Sequence, residues 1–484
     1  MIRKTRRILF WLIVGLFIIA GGFLLIYSFG YRINWQTLEI RQTGGLYLKT
    51  SPKITDIFLD AKKTDQKGGL LSSGIFVQNL FPRSYQLEIS KDGYFPWMKQ
   101  VKIAPTLVDS FTHIILLPRS PLKETVYSAT STEEITEEIT DFLSLGSQKE
   151  TILEIREKNK LGWFGVLEIF NKENATTTEI FRKKINRDEN PDLLRGLVTD
   201  GPDANQIIFS NYDRVSSQTV FYLWSRLAPE EPINFTQIVA KYNLTKVKKI
   251  IFHPFEDNKF IVETAKKIAI LDLNRNELSY LSAENPLDFA VSGGNLFWID
   301  KDGGVYSYNF ILKSTSPWAI IEDEKLQLKD WLVSVNSHNV AVLLAVGKLI
   351  LVQAGQPPKI LSKAAQNFAF SFDNKKLVYS DASGQVKIYF LEDLTQDITK
   401  KSGDEVVLAD ASGSSVSQLI WHKDSCHLIV KSGEEIVFSE IDDRDRLNVF
   451  KYQFGPGHYF LEGDGVIFRA TASFLEKINL AISE

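Results

Sequence analysis

The chain has 484 residues, 44% of them hydrophobic and 24% charged, with a formal net charge of −3. That length exceeds one ordinary core, so two or more domains are expected, and the apolar fraction excludes wholesale disorder. The near-neutral balance argues against a nucleic-acid binder that works by neutralising phosphates. Aromatic residues reach 12%, which favours pleated surfaces, and a single cysteine, Cys426, excludes an intramolecular disulfide framework.

The first element is residues 8–29, from Ile8 to Phe29, an uncharged run reading ILFWLIVGLFIIAGGFLLIYSF. Roughly 22 residues at about 1.5 Å each cross the ~30 Å hydrocarbon layer. A cleavable signal has a shorter run of roughly 7–15 residues before a small-residue site, and here Ala20-Gly21-Gly22 lie inside the run. The pattern predicts an uncleaved signal-anchor in a lipid bilayer. Arg3, Lys4, Arg6 and Arg7 precede it, and Arg32 alone follows closely. The positive-inside rule then puts residues 1–7 in the cytoplasm and the bulk of the chain outside, at the cell membrane.

Residues 43–118 change to short alternating runs. Gly45-Leu46-Tyr47-Leu48 is a strand stopped at Pro52, and Ile57-Phe58-Leu59-Asp60 is a second. A polar loop over 62–69 precedes Ile75-Phe76-Val77. In Tyr85-Gln86-Leu87-Glu88-Ile89 the odd positions share one face, and Lys91-Asp92-Gly93-Tyr94 turns the chain. Residues 98–103 and 111–117 supply the last strands. This succession, above all Leu80-Phe81-Pro82 followed by the Tyr85 strand and the Asp92-Gly93-Tyr94 turn, resembles a PEGA domain. The resemblance implies a small β-sandwich acting as an envelope spacer or binding module, with no catalytic residues.

Residues 119–140 are acidic and polar and are expected to be a linker, with a strand near Thr125 able to join the body that follows. From 141 to 484, strand-like runs recur at roughly 37–53 residues, the range of propeller blades. Eight opening strands align: Phe142-Leu143, residues 194–198, Ile250-Ile251-Phe252, residues 287–291, Trp331-Leu332-Val333, Phe368-Ala369-Phe370, Leu419-Ile420-Trp421 and Tyr459-Phe460-Leu461. Three of them run into an Asp- or Asn-containing turn and a second strand, as in Phe370-Ser371-Phe372-Asp373-Asn374-Lys375-Lys376. These units are similar to degenerate TolB-like or WD40-like blades. The fold class expected is therefore all-β with one N-terminal transmembrane helix: a PEGA-like sandwich, then a propeller of about eight blades, alternatively seven. The last unit holds about three strands, so a strand from the linker is expected to complete it.

The sequence carries no Gly-x-Ser-x-Gly elbow, His-Glu-x-x-His helix or Walker glycine loop. His422, Cys426 and His427 are the densest metal-type cluster, but neighbours on a strand point to opposite faces, so we expect no metal, no cofactor and no catalytic residue. Tyr94, Phe95 and Trp97 form an aromatic cluster able to bind a sugar or a partner, although packing within the domain is the plainer use. The chain is expected to be a non-catalytic, extracytoplasmic binding protein whose partner is an envelope protein, peptide or polysaccharide and not a nucleic acid. An envelope enzyme or sensor with its site in the propeller channel is the alternative.

Overall fold

The computed structural model describes residues 3–34, 39–53, 56–64, 67–68, 74–144, 150–172, 174–187, 198–200, 205–213, 218–323, 326–334, 336, 338–395, 398–408 and 416–480. The apolar run forms one helix, α1 (Arg3–Ser28), whose 20-residue stretch Leu9–Ser28 is long and apolar enough to cross a membrane and buries none of its apolar window in the rest of the protein. Gly30, at φ +80°, ends it in the left-handed conformation that costs glycine least. The Arg32 guanidinium then donates to the carbonyl of Tyr27 at 2.8 Å and stacks on the Tyr27 ring.

Two four-stranded sheets follow. One orders Val108–Ile115, Gly44–Ser51, Ile75–Leu80 and Lys67–Gly68; the other orders Lys62–Lys63, Asp56–Leu59, Ser84–Ser90 and Trp97–Lys102. They enclose one core in which Leu46, Leu48, Ile57, Leu87 and Ile89 are fully buried. Tyr85, Leu87 and Ile89 face inward together, as their alternation requires. This is the small sandwich expected from the sequence.

Among the described residues, the rest is a ring of eight four-stranded antiparallel sheets. Their first strands are Thr136–Ser144, Val198–Asp200, Val247–Phe252, Pro286–Ser292, Leu328–Val333, Ala365–Phe370, Val416–Trp421 and His458–Leu461. Each contains or overlaps the opening strand read from the sequence; of residues 194–198, the first four lie outside the described residues. Second strands such as Asn339–Leu344 are buried along their whole length, because a sheet inside a ring is covered on both faces. Among the described residues, eight buried clusters each join two neighbouring sheets, and one, from Ile139 and Phe142 to Phe468 and Leu475, joins the first sheet to the last. The circle is closed.

One expectation is corrected. The strand expected near Thr125 does complete the last sheet, Leu122–Ser128 pairing antiparallel with Phe474–Asn479 as its outer strand, but the linker bounds 119–140 do not hold, because Thr136–Ser144 is already the first strand of the first sheet. Glutamate and threonine are tolerated in the outer strand because it shows most of its side chains to water. A second helix, α2 (Phe235–Ala240), was not expected. Asn234 caps it by accepting from the N–H of Gln237, and Phe235 and Val239 are fully buried.

Six first strands share a device. Each is bulged one residue before a polar side chain: Asp141, Lys249, Asp288, Asp330, Asn367 and Gln418. The bulge re-aims that side chain along the inner rim, where first strands of successive sheets approach. Several then bond to the next blade's backbone. Lys249 donates to Phe289 O at 2.7 Å, Asn367 to Val416 O at 2.7 Å and Gln418 to Tyr459 O at 3.1 Å. Replacing Asn367 by Ala strands a carbonyl at the blade boundary. It should lower unfolding free energy by about 1–2 kcal/mol in denaturant titration, whereas the exposed Ser417→Ala should change it little.

Candidate functional site

In each blade the first-to-second and third-to-fourth turns emerge on one face of the ring, since the strands alternate in direction. Three of these turns are built alike. In the sixth blade, Ser371 and Asp373 close the turn. Lys376 N–H donates to Ser371 Oγ at 3.0 Å, and Lys376 Nζ meets Asp373 Oδ2 at 2.6 Å, with Asn374 at φ +57°. In the third blade Lys259 Nζ meets Glu256 at 2.8 Å, with Asn258 at φ +55°. In the seventh, His427 takes the lysine's place: its Nδ1 lies 2.7 Å from Asp424 Oδ2, with Ser425 at φ +57°. A carboxylate holding a cation at the first residue of the second strand is thus the common design.

His422 Nδ1 also reaches Asp424 Oδ1 at 3.0 Å, so His422, Asp424 and His427 bring ligand-type atoms within 4.8 Å of one another. Cys426, grouped with the two histidines in the sequence reading, does not belong to this set; it lines a cleft instead. Asp424 was missed, although the turn position it shares with Asp373 marks it. The sixth blade fills the same three positions with Ser371, Asp373 and Lys376, which is no metal-ligand set, so the histidine version is read as turn architecture. Burial opposes a charge on His427. The Asp424 carboxylate, with Glu440 and Asp442 beyond it, outweighs that and raises its pKa. Burial likewise works against the charge on Asp424, and the two histidines hold its carboxyl well below the usual range.

The small sandwich docks on this face at the seventh blade. Strand Trp97–Lys102 lies along the turn that joins Glu435–Glu440 to Val449–Gln453. Trp97 Nε1 donates to Glu440 Oε2 at 2.8 Å, and Lys99 Nζ sits 2.8 Å from Glu440 Oε1, both side chains being buried. Lys99 also donates to the carbonyls of Asp442 and Arg446. Met98 N–H donates to Asn448 Oδ1, and Asn448 Nδ2 donates back to Met98 O. Arg444 stacks on Phe111 at 3.9 Å. Every donor of the buried ammonium is thus matched, which a charge in a dry site requires.

Beside this joint a cleft of about 180 Å³ opens. Trp97, Phe111 and Ile114 line it from the sandwich, Lys375, Lys376 and Asp373 from the sixth blade, and Asp424, Cys426, Asp442 and Arg444 from the seventh. Both signs of charge face an apolar floor. Of the expected binding residues, Trp97 lines this cleft but is only 2% exposed. Phe95 packs on Phe450 and Tyr452, and Tyr94 bridges to Pro118. Phe95 and Trp97 thus grip the chain's own propeller, and Tyr94 packs against the core of the sandwich. At the inner rim, Asp288 accepts from Lys249 and from Trp331 Nε1. Burial, and then the facing Asp288 charge, raise the pKa of Asp330, while the Trp331 N–H opposes the shift.

No family model matches the chain, and no curated protein does. Among solved structures it is similar to Hsv2 of Kluyveromyces lactis, with 11% identity, 66% of this chain and 98% of that one covered, and a TM-score of 0.40. It is also similar to the C-terminal WD40 domain of Sif2 (11%, 75% and 99%, 0.47) and to a eukaryotic initiation factor (11%, 74% and 86%, 0.46). The propeller assignment rests on the sheets and their closed ring, and at these levels of likeness no activity or partner is transferred.

Two outcomes follow for the joint. Glu440→Ala leaves the Lys99 ammonium and the Trp97 and Asn448 N–H groups buried without their acceptor, and should destabilise by about 3–5 kcal/mol, while adding Lys99→Met should recover only part of the loss in thermal unfolding, because those N–H donors stay unpaired. The second outcome concerns pH. His427, raised when folded, contributes fully below its unfolded value of about 6.5 and loses that contribution as pH rises through its folded value. Asp424, depressed when folded, contributes above about 3.9 and loses it only as pH falls through its lower folded value. The pair is therefore strongest between about pH 4 and 6.5. Melting temperature should fall from pH 6.5 toward 9, and His427→Lys, which copies the sixth blade, should flatten that fall.

Proposed function

We propose that the chain is a membrane-anchored, extracytoplasmic scaffold that binds a polypeptide partner on the ring face carrying the small sandwich. The observation that carries this reading is the buried Trp97–Lys99–Glu440 joint. A passive spacer needs no desolvated ion pair, whereas a two-module binding surface needs its halves held in one register. The face so framed presents charges of both signs at the cleft. Phe255 and Phe372 stand more than half exposed on its turns, as apolar anchors for a partner. A polysaccharide is less well served. At the cleft itself, the indole that lines it, Trp97, has no open face on which a sugar could stack.

The anchor reading rests on α1, which is apolar, unpartnered and long enough to span. Arg3, Lys4, Arg6 and Arg7 are the wrong charge for a helix N-terminus. Retention of a basic leader on the cytoplasmic side accounts for them. The sandwich is read as PEGA-like. A non-catalytic role is supported by the rim, whose Asp288, Asn367 and Gln418 side chains are spent on bonds between blades.

A tag fused after Glu484 should be digested by protease added to intact cells; a shielded tag would sink the topology. A photo-crosslinking residue at Phe372 should then capture a polypeptide in those cells. The same residue at Leu161, on a second-to-third strand turn of the opposite face, should capture none. Equal capture from both positions would overturn the choice of face.

A further inference from the structure

Between Gly44 and Pro118, only two large apolar side chains stand exposed among the described residues: Leu107, at 60%, and Val108, at 50%. They are not scattered. Both lie where the membrane-type helix ends, and the backbone ties them there. Thr43 N–H and Oγ1 both donate to Gly30 O, at 2.9 and 3.0 Å. Thr106 N–H donates to Thr43 O at 3.1 Å, and Gly45 N–H to Leu107 O at 3.0 Å. A Cβ on Gly44 would come within 2.3 Å of Ala104 O and 2.8 Å of Leu107 O, so the loop over 104–108 rests directly on this glycine. Leu107 is therefore held two hydrogen-bonded links from the last turn of α1.

The strand pair that leaves the helix is two-faced. Tyr31–Asn34 and Glu39–Gln42 are antiparallel, with Ile33 opposite Ile40 and Arg32 opposite Arg41. Because side chains alternate along a strand, Tyr31, Ile33 and Ile40 share one side, and Arg32, Glu39 and Arg41 share the other, where Arg41 pairs with Glu39 at 2.5 Å and the net charge is positive. Ile40 is 62% exposed. An apolar face beside a pair of arginines, continuous with a spanning helix, is the pattern of a segment lying in the headgroup layer. There apolar groups sink toward the acyl chains and guanidiniums meet phosphates.

We propose that this hairpin and the 104–108 loop form a second membrane contact, an amphipathic foot through which the sandwich rests on the outer surface of the bilayer. The inference depends on the anchor reading above. It makes the sandwich a plinth: the foot fixes it on the lipid and the Lys99–Glu440 joint fixes the ring to it.

The test uses the full chain with Cys426→Ser, reconstituted in vesicles of phosphatidylethanolamine and phosphatidylglycerol. Single cysteines replace Ile18, Ile40, Leu107 or Leu161 and carry an environment-sensitive fluorophore; lipids carry nitroxides in the headgroup or deep in the acyl chain. All four side chains are unburied within the protein, so the labels disturb no core, and a wild-type melting temperature confirms each variant's fold. Labels at 40 and 107 should lose most of their emission to headgroup nitroxide, and the label at 161 should lose almost none. If 40 and 107 behave like 161 while 18 is quenched by deep nitroxide, the foot is overturned and the anchor stands. If 18 is not quenched and carbonate strips the protein from the vesicles, the anchor reading fails, and the foot with it.

Discussion

A four-stranded sheet that is apolar on both faces cannot stand alone, and covering both faces of every sheet with another like it leaves one solution, a closed ring. The clusters between consecutive sheets are this constraint in residues, from Ile152 and Phe209 between the first two to Phe468 and Phe170 across the seam. Closure also settles where the N-terminal sandwich must go. The last sheet brings three strands of its own, and its fourth, Leu122–Ser128, comes from a segment that begins four residues after Pro118. The sandwich ends at that strand's doorstep, so its strand Trp97–Lys102 is delivered to the neighbouring seventh blade. The joint is a consequence of the seam.

Much of this was legible in the sequence, for identifiable reasons. The helix is a compositional statement and needs no tertiary information. The opening strands were found because the residues that pack between blades, such as Ile250, Phe289, Trp331 and Phe368, must be bulky. In the acidic segment over 119–140 the outer strand near Thr125 was legible, but the start of Thr136–Ser144 was not, because its glutamates and threonines read as solvent chemistry. The short helix α2 was hidden because six residues give too little periodicity to register, although Asn234 was the visible start signal. The rim was overlooked for a different reason. In Ile139-Thr140-Asp141-Phe142, Ala365-Gln366-Asn367-Phe368 and Val416-Ser417-Gln418-Leu419 the polar residue sits one place before the apolar run, where it looks like the end of a loop. Only the bulge reveals it as part of the strand.

The site shows how position and chemistry separate. His427, Lys376 and Lys259 occupy one place in three blades and do one job, which is to meet a carboxylate that closes the turn. The seventh blade does it with an imidazole, whose pKa the Asp424 carboxylate raises against the cost of burial. It is also the blade whose Glu440, directly across the strand pair from His427, receives the sandwich. The Trp97 cluster shows the converse: aromatic residues in a turn read equally well as a ligand platform or as a domain joint. The deciding fact, a glutamate 343 residues further along, is a property of the ring.

Rigidity at the joint and amphipathicity at the helix exit act on the same body. A ring attached through a buried, fully bonded ion pair transmits the orientation of its support, because tilting the sandwich against the seventh blade would expose Lys99 and Glu440 singly. A support that only hung from a helix would leave that orientation free to rotate about Gly30. With the proposed foot in place, the apolar patch at the helix exit would remove that freedom at the one point where the joint cannot, and the face bearing Phe255 and Phe372 would be held at a set attitude to its support.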